Sequence, residues 1–522
     1  MTNLSDLFPA GAGKQVSFTA SGNVTSSGKP VILNSDGTVS EVSGTSESIG
    51  SATDPFAQNA DSYDYIWGLQ RQVIYDTTAD RIILAANAAQ SPSSNVEVRL
   101  VAGQVSGSTC TFGNSIEVGT TETGTGANAP SYGCSICFDE DNGFPLVFVQ
   151  SGDSSYFQYP VLVPIVVSGS SLSLGTPLVI ESAACTNFSN FCTYDTTNDK
   201  VLCVYGLSGS SNVMRAAVVT VSSTSSLSVT GSAVSEPNST AINQNWTLTY
   251  APDADLHFFG GTLYTDKFIG TTIDLSTGTA VWKTTLVDLI TSQPYAGYYS
   301  LSTYDSTAQA IIATYYIYNG GSDYNNDIVP VVLSGSGAST SMSVGTKGQT
   351  LAADAAVNYY ASPVYDPDKN VTGVAYNSAS GTSYVTATLT GTSPYVVSVS
   401  SPTVIESSGS SYGQYNIGVY DLDSDQICNI GSSGGPGKCV MYSPGSTNLT
   451  TTNFIGISDA AISSAASGNI TMKGGIASTG LSSLTPGSDY YVQDDGTIST
   501  VSSSVKAGKA LSATVLNLEY TS

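Results

Sequence analysis

Short apolar runs alternate with turns rich in Ser, Thr, Gly, Asn and Asp along nearly all of the 522 residues. Runs such as Ile82-Ile83-Leu84 and Val201-Leu202-Cys203 are rich in β-branched and aromatic residues and bounded by turn formers, so they predict strands. Only Leu286 to Thr291 reads as a turn or two of helix. Seven times an aromatic residue is followed by a short acidic or polar turn and then by β-formers, at Tyr75, Phe138, Tyr194, Tyr250, Tyr304, Tyr365 and Tyr420. The gaps are 63, 56, 56, 54, 61 and 55 residues, the period of a radial or stacked repeat.

The best-matched turns are Tyr75-Asp76-Thr77-Thr78-Ala79-Asp80-Arg81 and Tyr194-Asp195-Thr196-Thr197-Asn198-Asp199-Lys200. Their Asp, Asn and Thr side chains bond their own backbone and tolerate left-handed geometry. Each unit then continues as an apolar strand, a Ser/Gly/Thr turn and an alternating strand, as in residues 161 to 180 and 384 to 405. Two hairpins per unit make a four-stranded antiparallel sheet. Such sheets cannot bury both faces alone, which predicts an all-β chain folded as a seven-bladed β-propeller over residues 46 to 446.

The two ends read differently. Residues 30 to 39 and 489 to 498 both run strand, Asp-Gly turn, strand. A small β module formed by the chain termini is expected, from an N-terminal arm and hairpin at 1 to 45 and a C-terminal segment at 447 to 522. The seventh unit has no evident fourth strand after Cys439-Val440-Met441-Tyr442, so a strand from residues 38 to 66 is expected to complete it.

Composition narrows the function classes. Forty acidic against 15 basic residues give a net charge of −25, which excludes a nucleic-acid binder that clusters Lys and Arg on phosphates. No segment approaches the ~18 apolar residues of a membrane helix, so no membrane insertion is expected. The opening MTNLSDLFPAGAGK lacks the basic and apolar regions of a secretory signal. A chain with the look of an extracellular β protein but no export signal fits a virion protein released by lysis. Its eight cysteines then stay reduced.

The run NFIGISDAAISSAASGNITMKGG, then LTPGSDYYVQDDGTIST and AGKALSATVLNL, with LFPAGAG and VSFTASGNV near the N-terminus, resembles a family of virion appendage proteins of marine bacteriophages, including cyanophages. The repeated Tyr-Asp turns fit the same family of tail-fibre proteins. The resemblance implies a virion location and a tail-fibre, knob or spike component that contributes to host attachment by non-covalent binding. Its partners would be other virion proteins and a host cell-surface receptor or glycan, engaged by multiple copies, as a homo-oligomer or otherwise. A structural head-decoration or tail adaptor and a glycan depolymerase are the alternatives. The resemblance carries over no catalytic residue.

The residues themselves offer little chemistry, so the chain is expected not to be an enzyme and to need no cofactor. The single histidine, His257, holds a strand position and cannot build a His-rich metal site. Cys134-Ser135-Ile136-Cys137 lies on a strand, where positions three apart face opposite sides and do not converge on one metal. Asp421-x-Asp423-x-Asp425 opens like a calcium loop but has Gln426 and Ser432 where Gly and Glu belong, so a metal stays undecided. Only Arg71, Arg81, Arg99 and Arg215 could serve a sialidase-type arginine cluster, and Arg81 sits in a repeat turn. Candidate binding residues are Tyr156, Phe157, Tyr315, Tyr316, Tyr318, Tyr324 and Tyr412, in loops rich in Tyr, Ser, Gly and Asn.

Overall fold

The computed structural model describes residues 14–45, 47–57, 63–67, 72–90, 96–118, 134–152, 158–183, 185–207, 213–237, 246–263, 267–283, 285–290, 296–318, 324–336, 339–346, 351–352, 361–378, 380–391, 395–407, 415–432, 437–450 and 452–519. Among these the chain is all-β, without an α-helix. It divides into two compact units, one of Met1–Ser48 with Ser443–Ser522, the other Ile49–Tyr442.

Among the described residues, Ile49–Tyr442 is built from seven antiparallel sheets, each with a path of four strands and, in five of them, one or two short strands beside that path. The first strands are Val73–Asp76, Cys134–Asp139, Cys185–Asp195, Thr247–Ala251, Ala296–Asp305, Ser362–Asp366 and Tyr415–Asp421. Each touches the next, and Tyr415–Asp421 touches Val73–Asp76, so these strands close a cycle. A hydrophobic cluster fills each gap between consecutive sheets. One joins Ile83 and Leu100 to Ile136 and Val147, and another joins Ile417, Cys428 and Met441 of the last sheet to Tyr75, Ile82 and Val101 of the first. Both faces of these sheets are therefore covered, which is why their second strands read as continuous apolar runs.

The repeated turn has one geometry. In every unit the residue after the aromatic pairs with the residue five further on, as Asp76 with Arg81, Asp195 with Lys200 and Asp421 with Gln426. The residue closing the loop is left-handed in all of them: Asp80, Gly143, Asp199, Asp255, Gln309, Asn370 and Asp425, with φ between 50° and 71°. Asp, Asn and Gly tolerate that conformation best. The Asp after the aromatic is buried and accepts backbone N–H groups of its own turn, Thr78 and Ala79 for Asp76 at 2.9 and 2.8 Å.

The last sheet takes its outer strand from the N-terminal side, as the sequence suggested. Ser48–Ile49 flanks Lys438–Ser443, and Thr53 exchanges backbone hydrogen bonds with Cys439 at 2.9 and 2.8 Å. The helix expected at Leu286 to Thr291 is corrected: Val287–Ile290 is a strand laid on Lys267–Asp274, with Leu289 buried.

In the other unit, Gln15–Thr19, Ser467–Met472, Phe454–Ser458, Pro30–Leu33 and Val39–Glu41 form one sheet in that order, interleaving both chain ends. The two Asp-Gly hairpins match closely. Asp36 accepts the N–H and hydroxyl of Thr38 at 2.9 and 2.6 Å, and Asp495 does the same for Thr497 at 2.9 and 2.6 Å. The carboxyls of Asp36 and Asp495 lie below the usual range chiefly because of those hydroxyl bonds.

Candidate functional site

Six of the seven first strands of Ile49–Tyr442, all but Thr247–Ala251, line a cavity of about 490 Å³, within the ~300–1,000 Å³ of small-molecule sites. Its walls are apolar side chains such as Val73, Ile136, Leu301, Val364 and Ile417, interspersed with the hydroxyls of Thr193, Ser302, Thr303 and Ser362. Hydroxyls also knit neighbouring sheets together. Ser302 meets Thr247 at 2.8 Å and Thr249 at 2.6 Å, and Thr314 donates to the carbonyl of Ala361 at 2.6 Å.

At the turn end, Phe138, Tyr194, Tyr365 and Tyr420 rim the cavity. Four of the repeat tyrosines clamp their own turn: Tyr75 donates to Asp80, Tyr194 to Asp199 and Tyr250 to Asp255, all at 3.0 Å, and Tyr365 donates to Asn370 at 3.3 Å. Several also reach the preceding unit. Tyr250 donates to Thr197 at 2.7 Å, Tyr365 meets Thr307 at 2.7 Å, and Tyr420 donates to Asp368 at 2.6 Å. Burial and these carboxylates raise the pKa of Tyr75, Tyr194 and Tyr420, so all three stay protonated donors. Glu140 is the one charged residue lining the cavity among the described residues. Its pKa is raised, first by desolvation at the mouth and then by the charges of Asp141 and Asp139.

His257 is fully buried and puts Nε2 3.2 Å from the Asp195 carboxylate of the preceding unit. Burial pushes that carboxyl up, but the His257 hydrogen bond and charge, with the Asn198 bonds, outweigh it and hold Asp195 at about 2. Thr372 stands in the same relation to Asp305 two units later, at 3.4 Å. His257 is therefore a joint between sheets. The C-x-x-C pair splits as its spacing predicts: Cys134 packs between the first and second sheets, Cys137 between the second and third. The Asp421–Asp425 segment is a repeat turn, with Asp421 accepting the N–H groups of Asp423 and Ser424 at 3.0 and 3.2 Å. Among the described residues no group of three or more His, Cys, Asp and Glu is placed to hold a metal.

Of the expected binding residues, Tyr156, Phe157 and Tyr412 lie outside the described residues. Tyr318 and Tyr324 pair with each other at the end of one hairpin. Tyr315 and Tyr316 are corrected. Both are buried strand residues; Tyr315 stacks on Phe268 with ring centroids 5.0 Å apart and donates to Asp327 at 3.0 Å. The cavity residues were missed singly, although Thr193 and Thr303 both stand immediately before a turn aromatic, Tyr194 and Tyr304.

No protein-family model and no curated protein matches the chain. Solved structures similar to it include the Hadza microbial sialidase Hz136, at 8% identity and TM-score 0.39, covering 73% of this chain and 66% of that one. The Penicillium chrysogenum α-L-arabinanase is similar at 10% identity and TM-score 0.36, covering 76% of this chain and 98% of that one. A polysaccharide lyase of family PL25, an ulvan lyase, is similar at 9% identity and TM-score 0.36, over 76% and 98% of the two chains. All three are enzymes by name, and this corrects the expectation that the chain is not one. At these values they assign it no reaction and no residue.

Proposed function

We propose that Ile49–Tyr442 is a seven-bladed β-propeller and that its channel binds a neutral glycan, in a virion appendage that attaches to the host surface. The observation that carries the reading is the channel wall. It alternates apolar side chains with Thr193, Ser302, Thr303 and Ser362, and its single charged side chain among the described residues is Glu140. Sugars present apolar ring faces and many hydroxyls, and such a wall meets both without desolvating a charge. The closed cycle of first strands supports seven blades. The C-terminal run that resembles marine phage appendages supports the virion setting, the other virion proteins as partners and avidity from multiple copies.

Glu140 favours a second reading, cleavage of the bound glycan. A carboxyl with a raised pKa at a channel mouth suits a general acid, to which hydrolysis adds a second carboxylate across the scissile bond. One experiment separates the two. Purified protein is titrated with neutral oligosaccharides from host surface polysaccharide while released reducing ends are counted. Saturable binding abolished by Thr303→Phe, which fills the channel, supports the channel site; binding unchanged in that variant refutes it. Release of reducing ends that stops in Glu140→Gln, with binding retained, establishes cleavage.

A further inference from the structure

The sulphur of Cys439 lies 3.3 Å from the sulphur of Cys428, and Cys110 packs in the same hydrophobic cluster. Cys428 and Cys439 face each other diagonally across Gln426–Ser432 and Lys438–Ser443, where Cys428 pairs with Met441 and Ile430 with Cys439. All three thiols are buried in the cluster that joins the last sheet to the first. What covers them is the N-terminal closing segment. Thr53 donates its N–H to the Cys439 carbonyl at 2.9 Å and accepts the Cys439 N–H at 2.8 Å, while its hydroxyl donates to the Cys110 carbonyl at 2.8 Å. That cover is slight, a two-residue strand and one isolated bridge. Elements held by so few bonds open locally at lower cost than the core.

We propose that Cys428 and Cys439 form a thiol–disulfide site at this closure, oxidised by a low-molecular-weight disulfide such as glutathione disulfide when the closing segment lifts. The Cys439 thiolate attacks one sulphur of the oxidant, forming a mixed disulfide and expelling one glutathione thiolate. The Cys428 thiolate then attacks the Cys439 sulphur and expels the second. The cysteine pair gives up two protons and two electrons, and the oxidant becomes two thiols. Cys110 stays reduced, because a disulfide sulphur takes one partner. In the closed protein the reaction is slow. The Cys439 bond lowers the Cys428 pKa, but burial and the charges of Cys110 and Asp421 outweigh it, so the reactive thiolate is scarce. The product links Gln426–Ser432 to Lys438–Ser443, the strand to which the closing segment attaches.

The full chain is incubated with glutathione disulfide, then denatured, alkylated with iodoacetamide and mapped by mass spectrometry. Loss of two of the eight alkylatable thiols, a Cys428–Cys439 linked peptide and recovery with dithiothreitol are expected. Cys110→Ser keeps the same linkage. Thr53→Pro, which removes the Thr53 N–H, speeds its formation by about tenfold or more. Eight free thiols after treatment, a linked pair other than Cys428 with Cys439, or no acceleration in Thr53→Pro overturns the proposal.

Discussion

The buried aspartates of the repeat turns show how one residue type is made tolerable in different ways. Asp76, Asp139, Asp195, Asp305, Asp366 and Asp421 all lie below the surface. A buried carboxylate is costly unless bonded, and the turn amides supply most of the bonds. The remaining partner differs: Asn142 for Asp139 at 3.0 Å, His257 for Asp195 at 3.2 Å, and Lys369 for Asp366 at 3.2 Å. Where no such partner wins, as at Asp76, Asp139 and Asp305, burial raises the pKa. Asp195 goes the other way, to about 2. A depressed carboxyl contributes stability that is present above its unfolded pKa and lost as pH falls through the folded one. Asp195→Asn is therefore expected to cost about 2 kcal/mol near neutral pH and almost nothing near pH 2, read from denaturant midpoints at the two pH values. The tyrosines offer an internal control. Tyr420 donates to Asp368 at 2.6 Å, whereas the buried Tyr304 hydroxyl has no partner among the described residues. Tyr420→Phe should cost about 1 kcal/mol and Tyr304→Phe nothing measurable or a slight gain, in the same unfolding assay.

At the level of elements, the repeated turns were fully legible because their chemistry is local. An aromatic, in six units an Asp that caps the turn, and in all but the turn closed by Gln309 a left-handed Asp, Asn or Gly stand at fixed offsets, so spacing locates the hairpins. The strand at Val287–Ile290 was not legible as one. A short apolar run has no period long enough to separate strand from helix, and only its pairing with Phe268 and Gly270 decides. Tyr315 and Tyr316 misled for a related reason. Tyr-rich sequence next to Asn and Gly resembles a recognition loop, but the strand runs on to Tyr318 and its inner faces are covered by neighbouring sheets. The closing segment is held to the last sheet by few backbone bonds, from Gly50 to Met441 and between Thr53 and Cys439. Thr53→Pro is expected to lower the thermal midpoint and to cost about 1–3 kcal/mol. The exchange of the Cys439 amide with deuterated solvent should accelerate more than that of the Ile430 amide.

For the whole unit Ile49–Tyr442, the channel is a property no single stretch of sequence carries. Thr193, Ser302, Thr303 and Ser362 look like any strand hydroxyls until the first strands meet around one axis. That convergence explains why the sequence located the repeats but assigned binding to loops. It also explains the composition. Ser and Thr that replace charges on strands can line a neutral cavity as readily as a solvated edge, so the low charge content extends to the channel wall. The account is tested most directly by a crystal structure of the protein soaked with a neutral oligosaccharide from host surface polysaccharide. It predicts seven blades, with sugar density in the channel against Thr193, Thr303 and Ser362. An empty channel with sugar bound elsewhere, or a ring of a different number of blades, would contradict it.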